Sequence, residues 1–402
     1  MQRITYRVKV SARGAKRRIS HVLRPTKRTS NIKSKFVSSV PHISSSRFSR
    51  TKKLVQISSI ALLSLPAKSL TTLDSQVPVY DHVMLEKTLT VAAVPGNSTY
   101  FATDGFQHGF GYDLVRSYAD ELGVAVHLNT YATQEAALQA LKSGDADMAL
   151  TTASTQLKTQ LGVPSINVSC GYDATLTKNG LNPHVSWAFK KSDDLLSQKA
   201  SAFLCNSIKL KDTQRLASFY NQNLLKDAYS QAHFKRVLSE KLPDYQTSFE
   251  EQAQAYNHDW ELLVAMGYQE SHLNAEAVSP TGVRGIMMLT NSTAKAMGVS
   301  DRINPDQSIG GGARYLEKLK ADFADVPETE RIWFALAGYN MGPNAVKHIQ
   351  SELRSKGVDD KSWANVYAYL SENRASNSRY GQCMHYVSNI RSYLETIKMQ
   401  MA

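Results

Sequence analysis

The hydrophobic pattern of this chain changes its period part-way along the sequence. Residues 89–94, 124–128 and 148–151 have the short apolar pattern of strands, whereas residues 109–122 and 135–142 have the spacing of amphipathic helices. Gly123 and Gly144 follow these two helices, where glycine commonly ends a helix. Strands that alternate with helices form βαβ units in a sheet. We therefore expect an α/β fold for this part of the chain.

The pattern from residue 249 onward is helical throughout. Its turns are marked by Pro280, Gly298, Pro305, Pro327 and Pro343. A chain of 402 residues is long enough for two or three domains. The prediction is an α+β protein, with an α/β domain at residues 85–225 and an all-α domain at residues 249–402. Residues 226–248 are predicted to be a helical connector, and the absence of a Gly/Ser-rich linker favours packing between the two domains.

Positive charge is concentrated at the N-terminus. Residues 1–53 contain 16 Lys or Arg and no Asp or Glu, and the rest of the chain holds 31 basic and 35 acidic residues. This arm has no apolar periodicity, so we expect it to be disordered. The net charge of +12 therefore belongs to the arm, and it does not indicate a nucleic-acid partner for the folded part.

An apolar segment follows the arm at residues 54–70. Lys52 and Lys53 precede it, and small residues, Ala67 and Ser69, lie at its end. The apolar run is too short for a comfortable membrane span and has the three-part form of a secretory signal. We expect a periplasmic protein that matures near Leu70 and associates peripherally with a membrane, the outer membrane being the expected one. Residues 71–84 are predicted to be a polar linker between the apolar segment and the α/β domain. An uncleaved anchor that holds the protein at a membrane surface and an organellar transit peptide are the alternatives.

The cysteine and histidine positions do not predict a metal site. Cys170, Cys205 and Cys383 lack the spacing of zinc ligands, and His258 and His272 are not part of an HExxH motif. No metal site is expected. A disulfide between Cys170 and Cys205 is open, because the sequence fixes no geometry.

One glutamate continues an apolar stripe on a predicted helix. Leu262, Met266 and Glu270 follow one another at a spacing of four residues. Burial beside apolar side chains raises the pKa of a carboxyl group, so Glu270 is a candidate general acid. The helix pattern alone also fits a solvated glutamate at the end of a helix. The segment after it contains Ser279, Pro280, Gly282 and Gly285, which are typical of a chain that folds back over the helix end.

Four motifs occur at and after Glu270: ESHL at residues 270–273, SPTGVRGIMML at residues 279–289, SIGGG at residues 308–312 and AGYNMG at residues 337–342. They resemble the motifs of the lytic murein transglycosylase domain. The similarity extends over residues 249–397 and is strongest to the F-type, membrane-bound branch. It implies a lysozyme-like domain in which Glu270 is the catalytic acid and base. It also implies substrate contacts from Ser279, Tyr339, Asn340 and Tyr386.

Two positions depart from the wider family. Met288 stands where many members have a glutamine, a substitution shared by the F-type branch, and Gln382 stands where relatives often have a glutamate. Met288 is therefore included among the substrate-binding residues. These departures concern the subsites and leave Glu270 unchanged.

The resemblance implies a substrate and a reaction. The substrate is the β-1,4 bond between N-acetylmuramic acid and N-acetylglucosamine in the glycan strands of peptidoglycan. Glu270 protonates the glycosidic oxygen and then deprotonates the C6 hydroxyl of the muramoyl sugar, which gives a 1,6-anhydro product. The resemblance also implies that no metal and no organic cofactor are needed. A goose-lysozyme-like muramidase, in which water takes the place of that hydroxyl, and a non-catalytic cell-wall-binding protein are the alternatives.

Two stretches of the N-terminal domain carry a second resemblance: GFGYDLVRSYADELGVAV at 109–126 and ALQALKSGDADMALTT at 137–152. They are similar to the first lobe of the family 3 extracellular solute-binding proteins. Family members insert a whole second lobe before the returning strand near Ser186, but here only residues 168–185 intervene. Residues 152–160 also lack the arginine that binds a substrate carboxylate. We therefore expect a single lobe with a structural role and no ligand.

Overall fold

A five-stranded mixed sheet forms the centre of residues 78–225. The computed structural model describes residues 78–225 and 227–401. Five of the seven strands in the described residues form this sheet, and the other two form a hairpin. The seven strands are β1 (Thr88–Ala93), β2 (Phe101–Thr103), β3 (Phe106–His108), β4 (Ala125–Thr130), β5 (Met148–Thr151), β6 (Ser165–Asn167) and β7 (Ser186–Phe189). The sheet order is β4-β1-β5-β7-β6, while β2 and β3 pair separately as a hairpin. Strands β4, β1 and β5 are parallel, and β7 is antiparallel to both of its neighbours.

Seven helices accompany the sheet in this α/β part, by which we mean residues 78–225. They are α1 (Val79–Glu86), α2 (Phe110–Leu122), α3 (Gln134–Ser143), α4 (Thr155–Leu161), α5 (Ala174–Lys178), α6 (Leu195–Lys209) and α7 (Asp212–Phe219). A short 3-10 turn, Gln222–Leu225, ends the α/β part. Successive side chains of β1 point to opposite faces of the sheet. Val91 belongs to the larger core cluster, whereas Ala92 belongs to a smaller cluster that includes buried residues of α3.

The helical part comprises residues 227–401. Its helices are α8 (Ala228–Tyr256), α9 (Trp260–Ser271), α10 (Asn291–Ala296), α11 (Pro305–Asp322), α12 (Glu328–Met341), α13 (Pro343–Ser355), α14 (Trp363–Asn373) and α15 (Ser378–Met401). Capping agrees with the sequence: Asn304 accepts a hydrogen bond from the N–H of Gln307, and Pro305 occupies the first helical position of α11. The chain is thus α+β, with an α/β sheet region followed by an all-helical region.

The core is shared between the two parts. Buried apolar residues from Val83 to Ile397 form one continuous cluster that includes the sheet face under α2 and the centre of the helical part. Phe219 illustrates this sharing, since its ring contacts Trp333 and Trp363 at 5.3 and 5.9 Å between centroids. The expected packing of the two parts against each other is observed.

The predicted strands and helices of the α/β part are found within two residues of their expected ends, and the parallel βαβ arrangement is confirmed. The β2–β3 hairpin and β6 were not predicted, because strands of three residues are too short to show a period. The predicted polar linker at residues 71–84 is partly helical, since α1 begins at Val79 and buries Val83. The connector at residues 226–248 has no boundary at 249, because α8 runs through that position.

Other predictions concern cysteines and the N-terminus. Cys170 and Cys205 form a disulfide with 5.2 Å between their Cα atoms, which joins the segment after β6 to α6. The predicted arm at residues 1–53, the apolar segment at 54–70 and the linker up to residue 77 lie outside the described residues. Of the helices in residues 78–225 and 227–401, none combines the length and apolar character needed to cross a membrane.

Candidate active site

Helix α9 presents Glu270 at its C-terminal end. Every residue from Leu262 to Tyr268 is buried, so this helix is enclosed by its neighbours, whereas Glu270 itself is partly exposed. The chain leaves the helix through His272 and Leu273, which have φ angles of 52° and 53°. Two successive residues in the left-handed region are uncommon outside glycine and turn the chain sharply. The carboxyl group of Glu270 therefore lies at the edge of the packed core, where solvent and a ligand can reach it.

Two tyrosines from different helices lie beside this carboxyl group. The hydroxyl of Tyr386, on α15, donates a hydrogen bond of 2.7 Å to Oε1 of Glu270. Tyr339, near the end of α12, has its ring nearly parallel to that of Tyr386, with 6.5 Å between centroids and 11° between planes. The hydroxyl of Tyr339 donates to the carbonyl of Met287 at 2.8 Å. Three predicted site residues, Glu270, Tyr339 and Tyr386, are thus brought together.

The surroundings of Glu270 favour its protonated form. Burial raises its pKa to about 7, although the hydrogen bond from Tyr386 works in the opposite direction. Desolvation and this one hydrogen bond account for the shift, and no charged side chain of the described residues contributes to it. Burial and the nearby Glu270 carboxyl also raise the pKa of Tyr339 and Tyr386 well above the usual range, so both hydroxyls keep their protons. A carboxyl group with these properties can donate a proton near neutral pH and then accept one.

A tight loop at residues 274–289 folds back over the end of α9. Gly285 has φ 85°, and a Cβ atom there would collide with the carbonyl of Arg302. The N–H of Met287 donates to the buried hydroxyl of Ser308 at 3.2 Å. The hydroxyl of Ser271, the residue after Glu270, donates to the carbonyl of Ile286 at 2.9 Å. These contacts fix the loop to both α9 and α11.

The other three predicted site residues lie on the loop or on α12 without bonding to the glutamate. Ser279 is partly exposed, and its hydroxyl accepts hydrogen bonds of 3.2 Å from the N–H groups of Thr281 and Val283. Met288 is partly exposed and has φ 46°, an unfavourable conformation for a long side chain. Asn340 is exposed at the end of α12. Among the described residues, none of the three has a hydrogen bond to Glu270.

Ser271, Ser308 and Tyr315 also shape this site, and sequence reasoning did not assign them a role. Ser271 and Ser308 lie inside the ESHL and SIGGG motifs, so their motifs were visible although their hydrogen bonds were not. Tyr315 packs against Tyr339 with 5.3 Å between ring centroids. It lies on α11, in a stretch without a motif, and nothing in the sequence pointed to it.

The neighbouring carboxylates do not form a second catalytic group with Glu270. Glu261 lies nine residues earlier on α9, and at 1.5 Å per residue this places it about 13 Å away along the axis. Paired glycosidase carboxylates are usually about 5–9.5 Å apart. Glu261 is also paired with Lys398 at 3.5 Å. Glu276 is exposed on the loop.

Comparison with known proteins finds a matching family model and curated relatives. Residues 247–362 match the family model described as Transglycosylase SLT domain. The chain is 37% identical over 243 residues to membrane-bound lytic murein transglycosylase F of Stutzerimonas stutzeri, covering 58% of this chain and 49% of that protein. It is 35% identical over 272 residues to the protein of that name from Pseudomonas fluorescens, covering 65% and 54%. The chain spans about half the length of the curated relatives it matches.

Solved structures with similarity to this chain include two of different kinds. A soluble lytic transglycosylase from Escherichia coli is 18% identical, with a TM-score of 0.33, and the match covers 53% of this chain and 37% of that one. An ancestral cationic amino acid solute-binding protein is 15% identical, with a TM-score of 0.29, and the match covers 35% of this chain and 99% of that one.

Proposed function

We propose that this protein is a lytic murein transglycosylase. It cleaves the β-1,4 bond between N-acetylmuramic acid and N-acetylglucosamine in peptidoglycan and leaves 1,6-anhydromuramoyl ends. The observation that carries the proposal is the carboxyl group of Glu270, which has a pKa of about 7 and, among the described residues, accepts one hydrogen bond, from Tyr386. The match of residues 247–362 to the SLT family model and the relatives named lytic murein transglycosylase F support it.

The proposed reaction uses Glu270 twice. Protonated Glu270 transfers its proton to the glycosidic oxygen while the bond from that oxygen to C1 of the muramoyl residue breaks, which leaves an oxocarbenium-like centre. The Glu270 carboxylate then removes the proton from the C6 hydroxyl, and O6 forms a bond to C1. Every atom of the new ring comes from the substrate, and Glu270 ends the cycle protonated. A second carboxylate is therefore not required, in agreement with the positions of Glu261 and Glu276.

The remaining candidate residues have proposed roles in binding. Tyr386 holds the carboxyl group of Glu270 in place through its hydrogen bond. Tyr339 fixes the loop at Met287, and the exposed Asn340 beside it faces solvent, where a sugar can bind. Ser279 and Met288 lie on the loop that folds over the end of α9, in a position to contact the N-acetyl group and a neighbouring subsite.

Substitution of the acid tests this proposal. Glu270→Gln keeps the shape of the side chain and an acceptor for the Tyr386 hydroxyl but removes the transferable proton. Loss of a positioned general acid typically lowers a rate on the order of 10²–10⁴-fold. Release of muropeptides from purified peptidoglycan should therefore almost stop, while Glu276→Gln, on the exposed loop, should behave as wild type. A folded Glu270→Gln protein with normal turnover would refute the assignment.

The same experiment addresses a non-catalytic function. A cell-wall-binding protein would sediment with peptidoglycan and release nothing, with or without Glu270. The proposed enzyme releases soluble fragments, and its Glu270→Gln variant still binds the polymer. The goose-lysozyme-like alternative retains the acid and differs only in the group that captures the sugar, so the mass of the product separates the two reactions.

The proposed location is the periplasm, at a membrane surface. Relatives of this chain are named membrane-bound, and the sequence at residues 52–69 has the form of a secretory signal. N-terminal sequencing of the protein from cell envelopes should find a start near Leu70 if the signal is removed. A mature protein recovered from the cytoplasm with Met1 at its start would contradict this location.

A further inference from the structure

Three helices carry Glu270 and the two tyrosines beside it, and each helix or its N-cap forms hydrogen bonds or ion pairs with the α/β part. Glu270 lies on α9, Tyr339 on α12 and Tyr386 on α15. These hydrogen bonds and ion pairs involve three separate places in the α/β part: the β2–β3 hairpin, helix α2 and the segment after α7. They are polar and mostly buried.

The first bond is at the start of α9. Asp104, in the turn of the β2–β3 hairpin, accepts a hydrogen bond of 2.7 Å from the N–H of Asp259, which is the N-cap of α9. The other carboxylate oxygen accepts one of 3.0 Å from Lys320 on α11 and lies 3.4 Å from Nδ1 of His258. Burial opposes its ionisation, but the contacts with His258, Lys320 and Asp259 together lower the pKa of Asp104 to about 2. The carboxylate is therefore ionised and held by its partners at any pH near neutral.

The second bond is at the start of α12. Arg116, on α2, donates a hydrogen bond of 2.6 Å to the hydroxyl of Thr329 and forms an ion pair with Glu330. The second oxygen of Glu330 accepts the N–H of Trp363 at 2.7 Å, which extends the contact to α14. Both Thr329 and Glu330 lie in the first turn of α12, one helix length from Tyr339.

The third bond is in the middle of α15. Arg391 is fully buried and donates to the carbonyl of Asn221 at 2.8 Å. Its guanidinium lies over the rings of Phe219 and Tyr220 at 5.7 and 5.4 Å from their centroids. One turn later, Glu395 accepts a hydrogen bond of 2.7 Å from Gln222.

We infer that the α/β part positions the catalytic residues by holding α9, α12 and α15 in fixed positions relative to one another. Asp104 and Arg116 are the positioning residues. The inference rests on the proposed function. A buried ionic contact costs desolvation and is often replaceable by apolar packing without loss of stability. In this protein the buried polar contacts fix the orientation of the three helices. The hydrogen bond between Tyr386 and Glu270 joins α15 to α9, so it is sensitive to small shifts between these two helices. Misplacement of a reacting group by about 1 Å can lower a rate on the order of 10²-fold.

The test uses the full chain with Asp104→Asn and Arg116→Met, which remove a charge and keep most of the side-chain volume. The matched controls are Asp145→Asn, which is exposed, and Arg215→Met, whose ion pair with Asp212 lies within α7. We expect kcat on peptidoglycan to fall about 10-fold to 100-fold in the two test variants, with KM changed much less. Where α9 separates from α15, more water reaches Glu270 and the hydrogen bond from Tyr386 weakens. Desolvation is the larger of the two influences on the pKa of Glu270, so this pKa should fall and the basic limb of the pH profile of kcat should move to lower pH. The controls should match wild type in both respects.

Amide hydrogen exchange gives a readout that does not depend on activity. Exchange in α9 and α12 should become faster in Asp104→Asn and Arg116→Met respectively. If the test variants melt at a lower temperature but keep the wild-type kcat and pH profile, the contacts are only structural and the inference is wrong. If Arg116→Met does not fold, Thr329→Val removes the hydroxyl that accepts Arg116 and gives the same test with a smaller change.

The two proposals fail in different ways. If wild type releases no muropeptides, the proposed function is wrong, and the exchange data alone decide whether the α/β part holds these helices. If wild type is active and the exchange and kinetics of both test variants are unchanged, the positioning inference is wrong and the proposed function stands.

Discussion

Glu270 and Tyr386 form a pair in which each side chain affects the protonation of the other. Burial raises the pKa of Glu270, and the hydrogen bond from Tyr386 lowers it, so the value of about 7 is a balance between the two. The pKa of Tyr386 is raised well above its usual range by burial and by Glu270, which keeps the hydroxyl a donor. The acid form of Glu270 is needed for the first step, so activity should decrease as the pH rises through about 7.

Removal of the Tyr386 hydroxyl should shift that dependence. Tyr386→Phe keeps the ring and deletes the hydrogen bond that lowers the pKa of Glu270, so the basic limb of the kcat profile should move to higher pH. The loss of a charge-assisted hydrogen bond should lower kcat about tenfold or more. Tyr393→Phe, on the same helix and packed against Phe234 and Tyr268, should leave both quantities unchanged. A profile with an unaltered basic limb in Tyr386→Phe would show that this bond does not tune the acid.

The raised pKa of Glu270 also has a cost in stability. Its pKa in the folded protein is above the ordinary value of 4.5, so between these two values the folded state binds more protons than the unfolded state. Stability is therefore lost as the pH rises through this range, and the full loss is present above about 7. Glu270→Gln removes the effect and should increase the free energy of unfolding at high pH by on the order of 1–3 kcal/mol.

Denaturant unfolding of wild type and Glu270→Gln at two pH values measures this difference. The stabilisation should be present above the folded pKa and absent below the unfolded pKa. Equal stability of the two proteins at high pH would mean that the carboxyl group is not desolvated in the folded state.

At the scale of elements, the loop over α9 depends on a close approach of two backbone segments. Gly282 and Gly285 both have positive φ angles, 80° and 85°. A Cβ atom at Gly282 meets nothing within 4 Å, whereas one at Gly285 collides with the carbonyl of Arg302. Alanine substitutions at these two glycines therefore separate the cost of a positive φ angle from the cost of a steric collision.

Gly282→Ala should destabilise the protein by about 1–2 kcal/mol, the cost of a left-handed alanine. Gly285→Ala should cost more and should also lower the lytic rate, because the loop cannot keep its contacts with Arg302 and Ser308. Thermal unfolding and muropeptide release measure the two effects. Equal values of both for the two variants would show that the approach to Arg302 does not determine the shape of the loop.

Sequence patterns predicted the elements with strong periodicity and missed those fixed by tertiary contacts. Strand Met148–Thr151 and the helix ends at Gly123 and Gly144 were predictable. An apolar run and a glycine after an amphipathic helix are both visible in the local sequence. The β2–β3 hairpin was not, since each strand has three residues. Similarly, the stripe from Leu262 to Glu270 made Glu270 a candidate acid but also fitted a solvated glutamate. The resemblance identified Glu270, Tyr339 and Tyr386 as site residues. The ring of Tyr315 beside Tyr339 arises only from the packing of α11 on α12, which no local pattern encodes.

At the scale of the whole molecule, the carboxyl ends of the parallel strands border a cavity of about 510 Å³. Its lining includes Ser98, Thr99, Gln134 and Thr152, and Met399 of α15 lies at one side. All of its lining residues are uncharged. A zwitterionic ligand would need charged partners in a desolvated site, since exposed charge pairs contribute only about 0–1 kcal/mol each.

We therefore expect the α/β part to have no amino acid or muropeptide ligand. Calorimetry of the full chain against amino acids and muropeptides, with Glu270→Gln to prevent turnover, should show no saturable heat at micromolar concentrations. A micromolar dissociation constant that disappears when Thr152 or Gln134 is changed would assign a ligand to this cavity. The α/β part would then be a sensor as well as a support.

The most direct test of the whole account is the mass of the products released from purified peptidoglycan. If Glu270 acts as acid and then as base toward the C6 hydroxyl, every new muramoyl end is lighter by one water than a hydrolytic end. Mass spectrometry of the wild-type digest should find 1,6-anhydro ends, and the Glu270→Gln digest should contain almost none. A product set that consists entirely of hydrated ends would contradict the proposed reaction and make the protein a muramidase.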